Sequence, residues 1–337
     1  MNRESSSRLE RAGELAAQLG SLSPSNPNLR RALHVGIAVI VLLSVGLAAA
    51  AALNDFPELE WRFSAGWIAI GALCWLALCL MNAQLWMRLL AALGESVPQL
   101  RGTAIWCMSA LGRYVPTSLL LPMMRVAMSE REGISKRVCL ASIVYEIALA
   151  FTAALAIGAY FVIDIPDLRD QPARYVFPVL PIVAVAVLQP RIFHPLANGV
   201  LERLGRAPLP LALRGPRVFE FLGLYGVSLA LGGFGIFAIA MGIYPLHGED
   251  LPAVIIAFAA ATTLSVLAFM FPGGLVAREV ALAVALTPVI PAAAAVAVAV
   301  VVRIVQLGIE LLLAIVSPAL AGARSRPKTG AVHPAAQ

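Results

Sequence analysis

A proline–glycine–glycine break inside a long apolar region is the feature that most limits how this chain can fold. Apolar sequence extends from Leu251 to Val316, and the segment Phe271–Glu279 (FPGGLVARE) interrupts it. Proline removes a backbone donor and glycine loosens a helix. Backbone groups freed at membrane depth are tolerated only where protein or a water-filled cavity satisfies them. We therefore predict a helix break inside a membrane at Pro272, Gly273 and Gly274.

The composition indicates an all-α, polytopic helical membrane protein. Of the 337 residues, 60% are hydrophobic and 13% are charged, whereas about 25% are charged in a soluble domain. Several windows reach the roughly 20 apolar residues that a membrane-spanning helix needs. The net charge of +6 then reports loop orientation and contact with anionic lipid. A nucleic-acid footprint would need a basic soluble domain, which the sequence does not contain.

The charge of the loops predicts the topology. Arginine-rich segments at 1–31, 125–137, 190–217 and 322–328 should be cytoplasmic, and acidic loops at 54–63, 164–174 and 244–250 should face outward. Both assignments hold only if residues 102–124 and 251–286 each enter and leave the bilayer on one side. This gives about six full spans plus two re-entrant (broken) helical hairpins, with both termini cytoplasmic, in the cell (inner) membrane. The predicted spans are 33–53, 64–90, 138–163, 175–188, 218–243 and 292–316.

The two hairpins occupy equivalent places in two halves of the chain. Each half, about 64–163 and about 218–317, holds a span, a hairpin and a span, with opposite topology. Inverted repeats with broken helices that meet near the midplane are typical of transporters. The predicted domains are a polar tail (1–31), one integral membrane domain (32–320) with an interfacial amphipathic segment (190–217), and a basic tail (321–337).

Charged residues within the apolar segments are the candidate functional residues. A lone charge at the centre of a span costs at least about 2.5–3.5 kcal/mol, so it should face the protein interior or a partner. The planar fork of arginine suits phosphate, which would matter for a phospholipid headgroup. The candidate lipid-binding residues are Arg303, Glu279, Arg113, Arg125 and Glu146, and Pro116 is the matching helix break in the first hairpin.

Structural interpretations of the same residues remain open. Arg303 could make only an ion pair, with Glu279, Glu146 or Glu310. Glu279 could simply stabilise the start of a helix through its macrodipole. Arg125 could extend to lipid headgroups at the surface. Trp and Tyr residues near span ends are expected to lie in an interfacial belt.

Catalytic chemistry has no support in the residues. The sequence shows no nucleophile–base arrangement, no phosphate loop, no dinucleotide-binding motif and no metal-ligand spacing. The four cysteines are expected to be small buried hydrophobic residues. We therefore expect a protein that is not an enzyme and that needs no cofactor and no metal.

Two blocks of sequence resemble a known family. Phe271–Glu279, followed about two dozen residues later by Arg303, resembles the transmembrane flippase-like region of lysylphosphatidylglycerol synthases, which many stand-alone membrane proteins share. The resemblance covers roughly residues 33–318. The matching segments of the first half are Leu111–Pro116 (LGRYVP), Arg125, Gly133–Ser135 and Ile143–Glu146.

The sequence also departs from the family at several positions. The family commonly has glycine where Val276 stands, a glycine-containing segment at Leu119–Leu121, and arginine where Ile147 stands. Because glycine permits close backbone approach, these departures concern the family's headgroup site. The sequence ends at Gln337 without a soluble aminoacyl-transferase domain. The resemblance therefore implies lipid translocation or lipid binding, and it does not imply lysyl transfer.

Three functions follow as hypotheses. The first is flippase- or scramblase-like translocation, or binding, of an anionic or modified lipid through a charged intramembrane groove. The second is a non-catalytic membrane partner that presents lipid to a separate lipid-modifying or glycosyltransferase enzyme. The third is a small-solute secondary transporter, for which no dedicated Asp/Glu/His relay is visible.

Overall fold

Ten α-helices form nearly all of the part of the chain that the structure describes. This computed structural model describes residues 63–114, 120–164, 173–203, 208, 212–268 and 274–324, and these residues contain no strand. The predicted all-α class is confirmed. The helices are α1 (Ala65–Ala92), α2 (Gln99–Ala110), α3 (Leu120–Glu130), α4 (Lys136–Asp164), α5 (Ala173–Leu188), α6 (Pro190–Arg203), α7 (Gly215–Met241), α8 (Leu251–Ala268), α9 (Gly274–Leu286) and α10 (Ala292–Arg324), with short 3-10 helices at Leu111–Tyr114 and Gly248–Asp250.

Five stretches of helix are long and apolar enough to cross a membrane. Four of them belong to α1, α4, α7 and α10, where full spans were predicted, and the fifth is Gly248–Val266 in and before α8. A sixth is obtained if α5 and α6, which bend by 72° at their junction, are counted as one broken span. By length and composition alone α8 could therefore cross a bilayer. The re-entrant interpretation of α8 and α9, the number of spans and the inverted repeat stay predictions, and the first predicted span, 33–53, lies outside the described residues.

The two predicted hairpins are each made of two helices that pack against one another. The first consists of α2, its 3-10 helix and α3, and the second consists of α8 and α9. Gly112 lets the two arms of the first hairpin approach closely, because a Cβ at this position would lie 2.7 Å from the backbone nitrogen of Leu121. At 12, 11 and 13 residues, α2, α3 and α9 are too short to cross a bilayer singly.

Each hairpin packs against both of the long helices α4 and α10. α2 of the first hairpin packs against α10, and α8 of the second hairpin packs against α4. If α1–α4 are matched in order with α7–α10, then α2 corresponds to α8 and α4 corresponds to α10. The contact of α2 with α10 then corresponds to the contact of α8 with α4. The predicted inverted repeat requires this exchange. The contact between α1 and α7, which correspond to each other, is the most extensive between helices of the described residues.

Small residues allow the close approach of α1 and α7. A Cβ on Gly71 would lie 2.8 Å from the carbonyl oxygen of Gly235 and 2.5 Å from a side-chain carbon of Ile239. Helices in membranes associate largely through such close van der Waals contact, because lipid tails are as apolar as the side chains. This contact fixes the two helices that stand beside the hairpins.

Candidate functional site

Three Arg–Glu ion pairs lie among the apolar helices. They join α3 to α4, α9 to α10, and the 3-10 helix after α2 to α10, so both hairpins contribute. Three positive and three negative side chains are thus brought together. The pairs are Arg125–Glu146, Arg303–Glu279, with 3.0 Å between Nη1 and Oε1, and Arg113–Glu310, with 3.5 Å between Nη1 and Oε1.

The Arg125–Glu146 pair makes further hydrogen bonds within the protein through Arg125 Nε and Glu146 Oε1. Arg125 is 2% exposed, and besides its ion pair it donates from Nε to Ser109 Oγ at 2.9 Å. Its guanidinium lies 5.2 Å from the ring centroid of Trp86 and 5.7 Å from that of Trp106. Trp106 Nε1 donates to Glu146 Oε1 at 2.8 Å, and Oε2 takes Arg125. Both carboxylate oxygens are therefore occupied, and the cation lies between two aromatic rings.

Further hydrogen bonds hold the aromatic residues of this pair in place. Trp86 Nε1 donates to Ser142 Oγ at 3.0 Å, and Ser142 donates to the carbonyl of Cys139 at 2.7 Å. Ser109 donates to the carbonyl of Trp106 at 2.9 Å. The belt position expected for tryptophans near span ends is wrong for Trp86, which is 0% exposed. Its indole N–H has a buried partner and does not need the membrane interface.

The Arg303–Glu279 pair is only partly hydrogen-bonded. Arg303 is 7% exposed and pairs through Nη1 with Glu279 Oε1. Its guanidinium carbon lies 4.6 Å from the ring centroid of Tyr114. Arg303 Nε and Glu279 Oε2 are buried, and among the described residues neither has a hydrogen-bond partner. A donor and an acceptor of one ion pair thus remain free for another group.

A polar stripe on α10 extends the site. Arg303, Gln306 and Glu310 follow at spacings of three and four residues, which puts them on one face of the helix. Gln306 Nε2 donates to Glu310 Oε1 at 3.0 Å, and Tyr114 OH donates to Glu310 Oε2 at 2.9 Å. Arg113, which pairs with Glu310, also donates from Nε to the carbonyl of Ala110 at 3.0 Å. Glu310 is therefore bound on both oxygens.

The predicted site residues thus fall into two clusters. Arg303, Glu279 and Arg113 are joined through Tyr114 and Glu310, while Arg125 and Glu146 form the other cluster. α2 and its 3-10 helix link the two, because they carry Trp106 and Ser109 for one and Arg113 and Tyr114 for the other. Gly274 begins α9, and the predicted break residues Pro116, Pro272 and Gly273 lie outside the described residues. Ile147, where the family has arginine, is 49% exposed.

Sequence reasoning did not include several of the connecting residues among the candidates. Tyr114 contacts two of the ion pairs, Trp106, Ser109 and Gln306 each hydrogen-bond to one, and Glu310 had been considered only as a structural partner or an interface residue. The helical spacing of Gln306 and Glu310 from Arg303 was a usable signal. A buried aromatic donor such as Trp106 has no such signal, since its partner Glu146 lies 40 residues away in the chain.

This region offers few residues for metal binding or for cysteine chemistry. The described residues contain no group of three or more His, Cys, Asp or Glu side chains placed to hold a metal ion. The four cysteines form no disulfide; Cys74 is half-buried and the others are buried.

Long apolar helices that enclose paired charges define a polytopic α-helical membrane protein with a charged interior. Within that class, the chain belongs to the family described as the lysylphosphatidylglycerol synthase TM region, whose model matches residues 33–314. The resemblance deduced from the two motif blocks is confirmed. The matched range includes all the candidate site residues. No curated protein gives a significant match to the chain.

Proposed function

We propose that this protein binds an anionic or modified membrane lipid in the charged groove formed by its two hairpins and α10, and moves the lipid between leaflets. The observation that supports this most is the incomplete Arg303–Glu279 pair. Arg303 is 7% exposed and keeps one guanidinium donor without a partner among the described residues. Intramembrane ionisable groups are expensive, and they are retained where they bind or transport something.

Arginine is suited to the phosphate that membrane lipids share. Its guanidinium is planar and always charged, and it binds phosphate through paired N–H donors. Arg303 shares one face of α10 with Gln306 and Glu310, and Arg113 lies beside Glu310. The site contains three arginines and three glutamates, so its positive and negative charges are equal in number. A headgroup could therefore enter without leaving a large uncompensated charge in a region of low dielectric constant.

The hairpins supply a way to couple binding to movement. Glu279 is on α9 of the second hairpin, and Tyr114 ends the first hairpin's α2 and 3-10 segment. Both touch Arg303. A lipid phosphate that competes with Glu279 for Arg303 would therefore loosen the link between the hairpins. Broken helices that meet at a binding site are a common basis for alternating access.

The same proposal covers partners and location. Membrane lipids are the proposed partners, the cell (inner) membrane is the proposed location, a cytoplasmic position is proposed for both termini, and no enzymatic step is proposed.

Reconstitution in liposomes tests the proposal. Purified protein is incorporated into vesicles that contain trace labelled lipids of several headgroups, and exchange between leaflets is followed against protein-free vesicles. We expect accelerated exchange of at least one lipid and its loss in Arg303→Ala. Arg101→Ala serves as the control, because Arg101 is 45% exposed and its partner Glu132 belongs to none of the three Arg–Glu pairs of the site. No acceleration for any lipid of a broad panel would overturn the proposal.

A further inference from the structure

The two buried pairs of the hairpins, Arg125–Glu146 and Arg303–Glu279, differ in which of their polar atoms have hydrogen-bond partners. In Arg125–Glu146, Nε donates to Ser109 and both carboxylate oxygens are occupied. In Arg303–Glu279, Nε and Oε2 are buried and lack a partner within the described part of the chain. Most buried polar groups are hydrogen-bonded, so such exceptions need an explanation.

We propose that Arg303 Nε and Glu279 Oε2 together select lipid headgroups that carry an O–H or N–H donor beside the phosphate. This inference rests on the proposed function and deepens it. The free Nε donor takes an acceptor oxygen of the phosphate. The free carboxylate oxygen can only accept, so it needs a donor on the same headgroup.

Covalent geometry makes one small headgroup able to reach both atoms. Nη1 of Arg303 and Oε1 of Glu279 are 3.0 Å apart. In the guanidinium of Arg303, Nε and Nη1 are bonded to the same carbon. In the carboxylate of Glu279, Oε2 and Oε1 are bonded to the same carbon. A glycerol headgroup carries hydroxyls and an ethanolamine headgroup carries an ammonium group on a short chain attached to the phosphate, whereas a methyl ester or a choline group offers no O–H or N–H.

The Arg125–Glu146 pair has another role in this scheme. Its guanidinium lies between Trp86 and Trp106, and its hydrogen bonds are made within the protein. It therefore acts as a positioning pair that fixes α3 against α4 and holds α2 through Trp106 and Ser109. The sequence hypothesis that all five charged candidates bind lipid is narrowed to Arg303 and Glu279 for direct headgroup selection.

Lipid pairs of equal charge test the donor requirement. The first pair is phosphatidylglycerol and phosphatidylmethanol, which are both anionic and differ in hydroxyl groups. The second is phosphatidylethanolamine and phosphatidylcholine, which are both zwitterionic and differ in N–H donors. The full chain in nanodiscs receives each pair at equal amounts, and bound lipid is counted by mass spectrometry. We expect the donor-bearing member to be preferred roughly 10- to 100-fold, as for one hydrogen bond to a charged group.

A single substitution should remove this preference. Glu279→Gln keeps a carbonyl oxygen for Arg303 and puts an amide donor where Oε2 stood. The preference for phosphatidylethanolamine over phosphatidylcholine should then fall to about one, because an ammonium group can donate to a carboxylate oxygen but cannot accept from an amide, whereas a glycerol hydroxyl can do both. Glu132→Gln is the matched control, because Glu132 belongs to the Arg101 pair, whose arginine is 45% exposed, and its selectivity should equal that of the unaltered protein.

The outcomes separate the two proposals. If the protein binds and moves lipids but does not distinguish the members of either pair, the donor rule is wrong and the proposed function stands. If the preference for phosphatidylethanolamine over phosphatidylcholine exists but survives Glu279→Gln in a folded protein, Glu279 is not its source and the rule is again overturned. If no lipid is bound or moved, both proposals fail. The lipid pairs test the unaltered protein, so the rule remains falsifiable even if the variant does not fold.

Discussion

The guanidinium of Arg303 lies over the ring of Tyr114, with 4.6 Å from the guanidinium carbon to the ring centroid. The hydroxyl of the same tyrosine donates to Glu310 at 2.9 Å, and Glu310 follows Arg303 by seven residues on the same face of α10. Arg303 in turn pairs with Glu279 on α9. Tyr114 therefore connects the first hairpin with α10, and through Arg303 it is connected with the second hairpin.

Truncation of Tyr114 should separate the contributions of its hydroxyl and its ring. Tyr114→Phe leaves a buried Glu310 oxygen without its donor, which should cost about 1–3 kcal/mol in the free energy of unfolding. Tyr114→Leu should cost about 0.5–2 kcal/mol more, because the cation–π contact with Arg303 is also lost. Unfolding by denaturant in detergent micelles measures both values.

Tyr244 provides the control for this pair of variants. It follows the end of α7, and Tyr244→Phe should change the stability by less than about 0.5 kcal/mol, as for other substitutions away from buried networks. If Tyr114→Phe were as neutral as Tyr244→Phe, the hydroxyl of Tyr114 would not stabilise Glu310.

Replacement of Glu146 should be much more damaging. Glu146→Gln leaves Arg125, which is 2% exposed, as an uncompensated buried cation. Breaking a buried pair on one side costs about 3–5 kcal/mol. The expected result is a large fall in the unfolding free energy and in the yield of folded protein.

The double variant Arg125→Met with Glu146→Leu tests the cause of that loss. Because replacement of a whole buried pair by apolar residues is often neutral, the double variant should be more stable than Glu146→Gln. A double variant that is less stable than the single variant would show that the charges themselves contribute net stability.

The sequence predicted the fold well where the pattern is local. Long apolar runs gave α1, α4, α7 and α10, because hydropathy is a property of consecutive residues. The helix breaks at Pro272 and Pro116 were predicted from backbone chemistry and stay predictions, because both prolines lie outside the described residues; α9 begins at Gly274 and α3 at Leu120. Span number and repeat could not be settled in this way, because a helix such as α8 has the length and the composition both of a span and of a hairpin arm.

The site was predicted less completely, because the residues that contact one another in it are far apart in the chain. The charged residues were visible as exceptions in apolar sequence, but three alternatives for Arg303 were equally compatible with its position. The choice of Glu279 depends on how α9 packs against α10. The Arg125–Glu146 pair has hydrogen-bond partners that the Arg303–Glu279 pair lacks, namely Trp106 and Ser109 in another helix. No pattern in the sequence indicates this difference.

The crossing of α1 and α7 should tolerate no larger residue at its closest point. Gly71→Val would bring side-chain atoms against the carbonyl oxygen of Gly235, which a Cβ alone would approach to 2.8 Å. Overpacking costs about 1–3 kcal/mol, and a backbone neighbour cannot turn away as a side chain can. Gly66→Val on the same helix is the control, since a Cβ there has no neighbour within 4 Å. Equal melting temperatures for the two variants would contradict the close crossing.

Cysteine accessibility should decide whether the hairpins are re-entrant. In a Cys74→Ala background, single cysteines are placed at the exposed positions Ser96 and Arg131, which flank the first hairpin, and Glu249 and Thr287, which flank the second, and membrane-impermeant reagents are applied to sealed vesicles of known orientation. If each hairpin returns to its own side, Ser96→Cys and Arg131→Cys react from the cytoplasmic side, and Glu249→Cys and Thr287→Cys react from the other side. Labelling of positions 96 and 131 from opposite sides would mean that the first hairpin crosses the bilayer, and the charged groove would then lack one of its two broken hairpins.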